Sequence, residues 1–376
     1  NKFGGFGRRG PIMGKYVIGG WLFLQDKVDQ GVDIPGYEFN QMDWEVVKNQ
    51  RPPIDILNTA RIPFKYLGIL CTVLLFLLTR QLLGSWLLGS IVGIVFCLQP
   101  HVISFSQKAM NDMLALVMSM IALFLSARLI NKIWSLNPNQ GVPRFVLIGI
   151  LLGLALLAKL YNLLVLGIIG LWLTLELVGF IRKFDSSTLK RTVVKNSLVV
   201  KILLGFIALT LIISTIWVLP NPYLHHHTIK NTVYLVGFGK KVKRNEAATE
   251  DQKNLTWSKR WQSLVRNGPG RSGIFHYWLA APPLIDKTLA GLGIVGLFFI
   301  RYRFNRKADN MRNFSFLMVW LLIITAGTLV WTPFDWPRWY LPMSPIWAFL
   351  EGLGIFTLFV LVAFLSQVTL VRHKYR

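Results

Sequence analysis

The chain has 376 residues, 53% of them hydrophobic and 15% charged, with a formal net charge of +24 and a mean hydropathy of +0.48. That balance excludes an ordinary soluble globular protein. The basic residues lie between apolar windows and form no basic domain or RNA- or DNA-binding motif, which excludes nucleic acid as a partner and leaves anionic lipid headgroups or a lipid phosphate.

From the N-terminus, the first residues are Gly- and Arg-rich and carry no signal-peptide pattern, and the chain opens on Asn1. A further N-terminal piece is therefore expected. Windows long and apolar enough to cross a bilayer then follow near 63–79, 82–98, 110–130, 145–158, 161–181, 198–219, 285–300, 314–331 and 342–365. The run 145–181 is too long for one crossing, and "AKLYN" splits it into a tight hairpin. No alternating ten-residue segments of a β-barrel occur. The expected fold is all-α and polytopic, with about nine visible transmembrane helices joined by extracytoplasmic loops. The two cysteines, Cys71 and Cys97, both fall in apolar spans and read as packing residues.

Charge sets the orientation. If residues 1–62 lie outside the cytoplasm, the cytoplasmic loops collect Arg80, Arg128, Lys132, Arg144, the basic run from Arg182 to Lys195, the run from Arg301 to Arg312, and the C-terminal Arg372, Lys374 and Arg376. The short outer loops then hold only Lys108, Lys159 and Arg338, as the positive-inside rule requires. This places the C-terminus in the cytoplasm, in a bacterial inner membrane or its equivalent. Four regions result: an extracytoplasmic N-terminal region 1–62, a first membrane bundle 63–219, a large extracytoplasmic loop 220–284 and a C-terminal bundle 285–376.

The same orientation gathers chemistry on the outer face. Charges at membrane depth are costly and have a reason. Arg61 opens the first span, Lys108 and Asp112 stand at the mouth of the third, Lys159 is at the hairpin tip, and Arg338 follows Asp335 in the proline-rich "TPFDWPRWYLP". Four cations about one carboxylate suit an anionic head group, most naturally a phosphate. Taken singly, each is equally a residue that snorkels to the interface. Asp335, three residues from Arg338, is placed to pair with it. Glu176 near a cytoplasmic end reads as a snorkelling acid, and Glu351, deeper in the last span, as a contact to a partner helix or a lane for lipid. His225, His226 and His227 lack a nearby Cys or carboxylate to complete a zinc set, so a surface loop is the expected role.

Several segments, in order, resemble one family. "GPIMGKYVIGGWLF" is similar to the H-P-P-L-G-K-x-L-I segment of polyprenyl-phosphate-dependent GT-C glycosyltransferases, the group of protein mannosyltransferases and the aminoarabinose transferase, with Lys15 on its lysine. "LQPHVISFSQKAMNDMLAL" resembles P-x-x-x-x-x-S-R-x-A-M-x-D with Asp112 on the acid. "GLALLAKLYNLLVL" resembles G-L-x-x-x-x-K with Lys159 on the lysine, and "WYLPMSP" resembles R-Y-x-L-P-x-x-P. The family histidine is replaced by Gly10, its second proline by Ile12, and the arginine of the second motif by Gln107 beside Lys108.

The resemblance implies transfer of a sugar from a polyprenyl-phosphate donor to an acceptor on the non-cytoplasmic face, with inversion. It implies that Arg338 and Lys159 neutralise the lipid phosphate and that Asp112 orients one of them or serves the acceptor; the grouping of charge adds Lys108 and Arg61 to the phosphate site, and Asp335 and Lys15 are expected as orienting or acceptor-side residues. The family's general base lies ahead of the first motif, so no catalytic acid is expected within the chain as it begins at Asn1. No cofactor is implied, and a divalent metal stays open. Expected partners are the donor lipid, membrane lipids and protein subunits. The alternative is a GT-C-like scaffold without chemistry, docked on a larger complex. A transporter has less support, since no span is visibly broken at mid-membrane and no inverted repeat shows.

Overall fold

A computed structural model describes residues 13–27, 54–108, 111–130, 138–182, 256–270, 273–304, 308–331 and 337–374, together with 212–213, 215–216 and 230. These residues form helices and no strands. In chain order they are α1 (Met13–Leu24), α2 (Ile54–Leu83), α3 (Trp86–Leu98), α4 (Pro100–Ser106), α5 (Asn111–Ile130), α6 (Pro138–Ala158), α7 (Leu163–Arg182), α8 (Trp257–Val265), α9 (Ile274–Leu279), α10 (Pro283–Phe304), α11 (Ala308–Trp331) and α12 (Ser344–Lys374). Two 3₁₀ segments, Leu160–Asn162 and Pro337–Met343, and a wide, kinked π-type turn, Arg266–Gly270, join some of them.

Local sequence explains where the helices stop. "LLGSW" ends α2 and starts α3 in two residues. Gly84 takes a left-handed φ of +69° and its N–H returns to the Arg80 carbonyl, while the Ser85 hydroxyl caps α3 by accepting from the Leu88 N–H at 3.2 Å. The Arg80 guanidinium then stacks 3.3 Å above the Trp86 ring, closing the turn. At "LQPH", Pro100 forces Gln99 into extended backbone, and α4 leaves α3 at a 62° bend. The span expected at 82–98 therefore belongs to a bent pair, and residues read as a loop continue it as a short helix.

Packing runs α6, α5, α2, α3, α12, α10 from one side to the other, with α11 lying against α7 and α2. The seam between α10 and α12 is the closest. A Cβ on Gly293 would meet the Leu350 carbonyl, and one on Gly354 would meet the Leu289 carbonyl, so the two backbones touch. Phe64, Phe96, Phe316, Trp320 and Phe349 fill the interior, with edge-on ring pairs Trp172–Phe316 at 5.9 Å and Trp320–Phe349 at 6.3 Å. Outward-facing apolar residues such as Phe298, Leu322 and Phe359 are exposed, as lipid-facing positions require.

Among the described residues five helices are long and apolar enough to cross a membrane, or six if the α3–α4 pair is one span. They match the windows expected at 63–79, 110–130, 285–300, 314–331 and 342–365, and the bent pair matches 82–98. Pro143–Ala158 and Leu163–Glu176 are apolar but shorter. Most of the window 198–219 lies outside the described residues. The break at "AKLYN" falls where expected, yet α6 and α7 form no tight hairpin: α6 packs along α5 and α7 along α11, and the two share few contacts. The physical reason is that each finds a longer apolar partner elsewhere.

Candidate functional site

Asp112 sits in the first turn of α5, where the helix dipole favours an acid. Its side chain is 7% exposed and pairs with the Lys159 ammonium, itself 20% exposed. Lys159 reaches it because the chain leaves the α-helix there. Its N–H still bonds the Ala155 carbonyl at 2.9 Å, and the turn Leu160–Asn162 begins from its own carbonyl.

That turn is anchored onto α5. The Tyr161 hydroxyl donates to the Asp112 backbone carbonyl at 3.3 Å, and the Tyr161 ring lies 5.7 Å below the Lys159 ammonium. Asn162, fully buried, donates from Nδ2 to the Ala155 carbonyl at 2.6 Å, and its Oδ1 lies 2.6 Å from Ser119 Oγ. Ser119 is also 2.8 Å from the Ala115 carbonyl, so its one hydroxyl proton serves these two acceptors in turn. The polar residues of "KLYN" thus form one hydrogen-bonded unit that fixes where Lys159 points. Sequence reading found Lys159 but not Asn162, whose signal is an amide breaking an otherwise apolar run.

The turn Pro337–Met343, which bears Arg338, packs on α5 as well. Tyr340, Leu341 and Met343 are buried, and the turn packs on α4, α5, α11 and α12. It thus touches the helix whose first turn carries Asp112. Asp335 lies outside the described residues. Lys15 belongs to α1, which rests against α2, α5 and α6 and is tied at its far end by Lys27, 3.2 Å from both Asp55 and Thr59.

Lys108 is exposed after α4 with its ammonium 4.8 Å over the Phe105 ring. Arg61 reaches Asn58 at 3.5 Å, while its Nε is buried with no hydrogen-bond partner among the described residues. Among the described contacts, Lys159 pairs with Asp112, and none joins Lys108 or Arg61 to that pair.

Other expectations resolve differently. Glu176 does not simply snorkel; it pairs with Arg312 of α11 at 3.5 Å. Glu351 is buried in α12, and neither carboxyl oxygen has a partner among the described residues. The histidines 225–227 lie outside the described residues. Among those described, no group of three or more His, Cys, Asp or Glu is placed to hold a metal. Asp286, which sequence reading passed over, is fully buried and accepts from the Phe275 and His276 N–H groups at 3.1 and 2.9 Å. Its signal was an acid within the first residues of an apolar span.

No protein-family model matches the sequence, and no curated protein matches it. Two solved structures from Archaeoglobus fulgidus are similar in fold. One is the crystal structure of its oligosaccharyltransferase in complex with zinc and sulfate, at 15% identity and a TM-score of 0.49, covering 88% of this chain and 41% of that one. The other is the archaeal oligosaccharyltransferase AglB in complex with an inhibitory peptide and a dolichol-phosphate, at 12% identity and a TM-score of 0.51, covering 86% of this chain and 42% of that one. The chain spans about two fifths of the length of the structures it matches. At such identities the likeness is one of fold.

Proposed function

We propose that the chain is a membrane glycosyltransferase of the GT-C type, moving a sugar from a polyprenyl-phosphate donor to an acceptor on the non-cytoplasmic face. The observation that carries this reading is the buried Asp112–Lys159 pair, locked by Tyr161 and Asn162, on a helix that the turn bearing Arg338 also touches. The fold likeness to AglB supports it, as does the ordered set of motifs. The positive-inside pattern supports a cytoplasmic C-terminus, and the regions 1–62, 63–219, 220–284 and 285–376 keep their proposed roles.

In the reaction the bond between the anomeric carbon and the phosphate oxygen breaks, its electron pair staying on the phosphate. The acceptor oxygen forms the new bond from the opposite face, and its proton passes to a general base. We assign that base to no residue of this chain. The leaving phosphate gains one negative charge, so cations held before the reaction begins lower the barrier most. Lys159 and Arg338 fill that role. Asp112 holds the Lys159 ammonium in place until a phosphate shares it. Lys108 and Arg61 serve the wider approach to the site, and Lys15 and Asp335 orient the acceptor side.

The test is turnover by the purified full-length protein in nanodiscs, given a radiolabelled polyprenyl-phosphate sugar and followed by release of polyprenyl phosphate. Donor turnover supports the reading. A protein that binds the donor and never turns it over acts as a scaffold.

A further inference from the structure

A cleft of about 570 Å³ lies between α8, the turn Arg266–Gly270 and the start of α10. Trp261, Arg266, His276 and Lys287 line it, and among the described residues the lining holds no acid. Its size falls in the range of about 300–1,000 Å³ that small-ligand sites occupy.

Its walls are pinned on every side. Arg260 of α8 donates to the last carbonyls of α11, Leu329 at 2.6 Å and Val330 at 3.0 Å. In the turn, Asn267 is buried and donates to the Ser263 carbonyl at 3.0 Å, and Gly268 lies against Trp347 of α12. Asp286 holds the first turn of α9 to α10, and His276 Nδ1 lies 2.8 Å from the Ala281 carbonyl, which fixes the imidazole. The Trp278 indole donates to the Leu98 carbonyl at 2.8 Å and ties α9 to α3. The cleft is therefore preformed.

Depth argues for a lipid. Lys287 is in the second turn of α10, whose stretch Pro283–Arg301 can span the bilayer. Trp257, Trp261, Tyr277 and Trp278 are exposed around the cleft, as aromatics are at a membrane–water interface. Two cations at headgroup level would attract any anionic lipid. The planar faces of Trp261, half exposed, and of His276 add what bulk attraction does not need, a place for a ring. The turn that carries Arg266 also touches the turn that carries Arg338.

We propose that this cleft is a subsite for the headgroup of an anionic lipid bearing a phosphate on a sugar or polyol ring, with the phosphate between Arg266 and Lys287 and the ring against Trp261. That the bound lipid is the acceptor rests on the glycosyltransferase reading; that it binds does not.

Native mass spectrometry of the full chain in micelles tests it, with phosphatidylinositol as probe and phosphatidylglycerol as an anionic lipid lacking the ring. Phosphatidylinositol should bind about tenfold or more tighter than phosphatidylglycerol, and the double variant R266Q/K287Q and the single variant W261A should each lose about tenfold in affinity for it. These side chains line an open cleft, so the variants should fold, which an unchanged melting temperature checks. Equal binding of the two lipids, or unchanged affinity in the double variant, overturns the subsite. Displacement by soluble inositol 1-phosphate at matching concentration overturns the lipid assignment in favour of a free phosphosugar. Donor turnover is read separately, so a failed cleft leaves the transferase reading standing, and a failed transferase leaves the cleft.

Discussion

Lys159, at the break between α6 and α7, donates to the carboxylate of Asp112 on the first turn of α5, 47 residues earlier. The pair is held by the hydroxyl of Tyr161 on the Asp112 carbonyl and by Asn162 beneath it. A cation aimed this way is fixed before a phosphate arrives, and that is the geometry from which the expected behaviour of the variants follows.

Replacing Arg338 by Ala should abolish sugar transfer, with a fall in kcat of about 10²–10³, the scale of removing one preorganised charge-stabilising group. The amount of folded protein after size-exclusion chromatography should stay close to that of the parent. Turnover retained at the parent rate would remove Arg338 from the account.

Lys159→Ala should weaken donor binding, measured by competition between a labelled donor and polyprenyl phosphate. Asp112→Asn should spare the position of Lys159 less than its charge. Losing one partner of a largely buried pair costs about 3–5 kcal/mol when burial is complete, and less here because Lys159 is partly exposed. The expected signature is a lowered melting temperature together with weakened donor competition. Unchanged competition in both variants would leave the pair a purely structural feature.

Asn162→Ala removes two buried hydrogen bonds, while the Ala155 carbonyl keeps the Lys159 N–H and the Ser119 hydroxyl keeps the Ala115 carbonyl, so each loss costs about 0.5–1.5 kcal/mol. A double-mutant cycle with Ser119→Ala in unfolding experiments should give a coupling of about 0.5–3 kcal/mol. Additive effects would mean the two side chains do not act together.

The seam of α10 and α12 should be intolerant of bulk. Gly354→Leu places a side chain where the Leu289 carbonyl already stands, and overpacking of this kind costs about 1–3 kcal/mol or more. Thermal unfolding of the variant in detergent reads this directly; an unshifted transition would mean that the helices separate easily.

Much of the fold could be read from apolar windows, because length and hydropathy alone decide what can cross a membrane. The break at Lys159 was legible for the same reason, a charge in a long apolar run. What could not be read was pairing across the chain. Nothing near Asn162 names Ser119 as its partner, and nothing near Glu176 names Arg312, since both contacts depend on how helices remote in sequence are laid side by side. The bend after Gln99 was marked by Pro100, but whether a loop or a helix followed depended on α4 finding a place against α2 and the turn Pro337–Met343. The α6–α7 hairpin was expected from adjacency in sequence, and better packing on α5 and α11 decided otherwise.

The most direct measurement is a cryo-electron microscopy map of the full protein with a polyprenyl phosphate added. The account predicts phosphate density within hydrogen-bond reach of Lys159 and of Arg338, with Asp112 still on the far side of Lys159. A phosphate bound elsewhere, or a closed region around Asp112 and the turn Pro337–Met343 covered by another subunit, would contradict it.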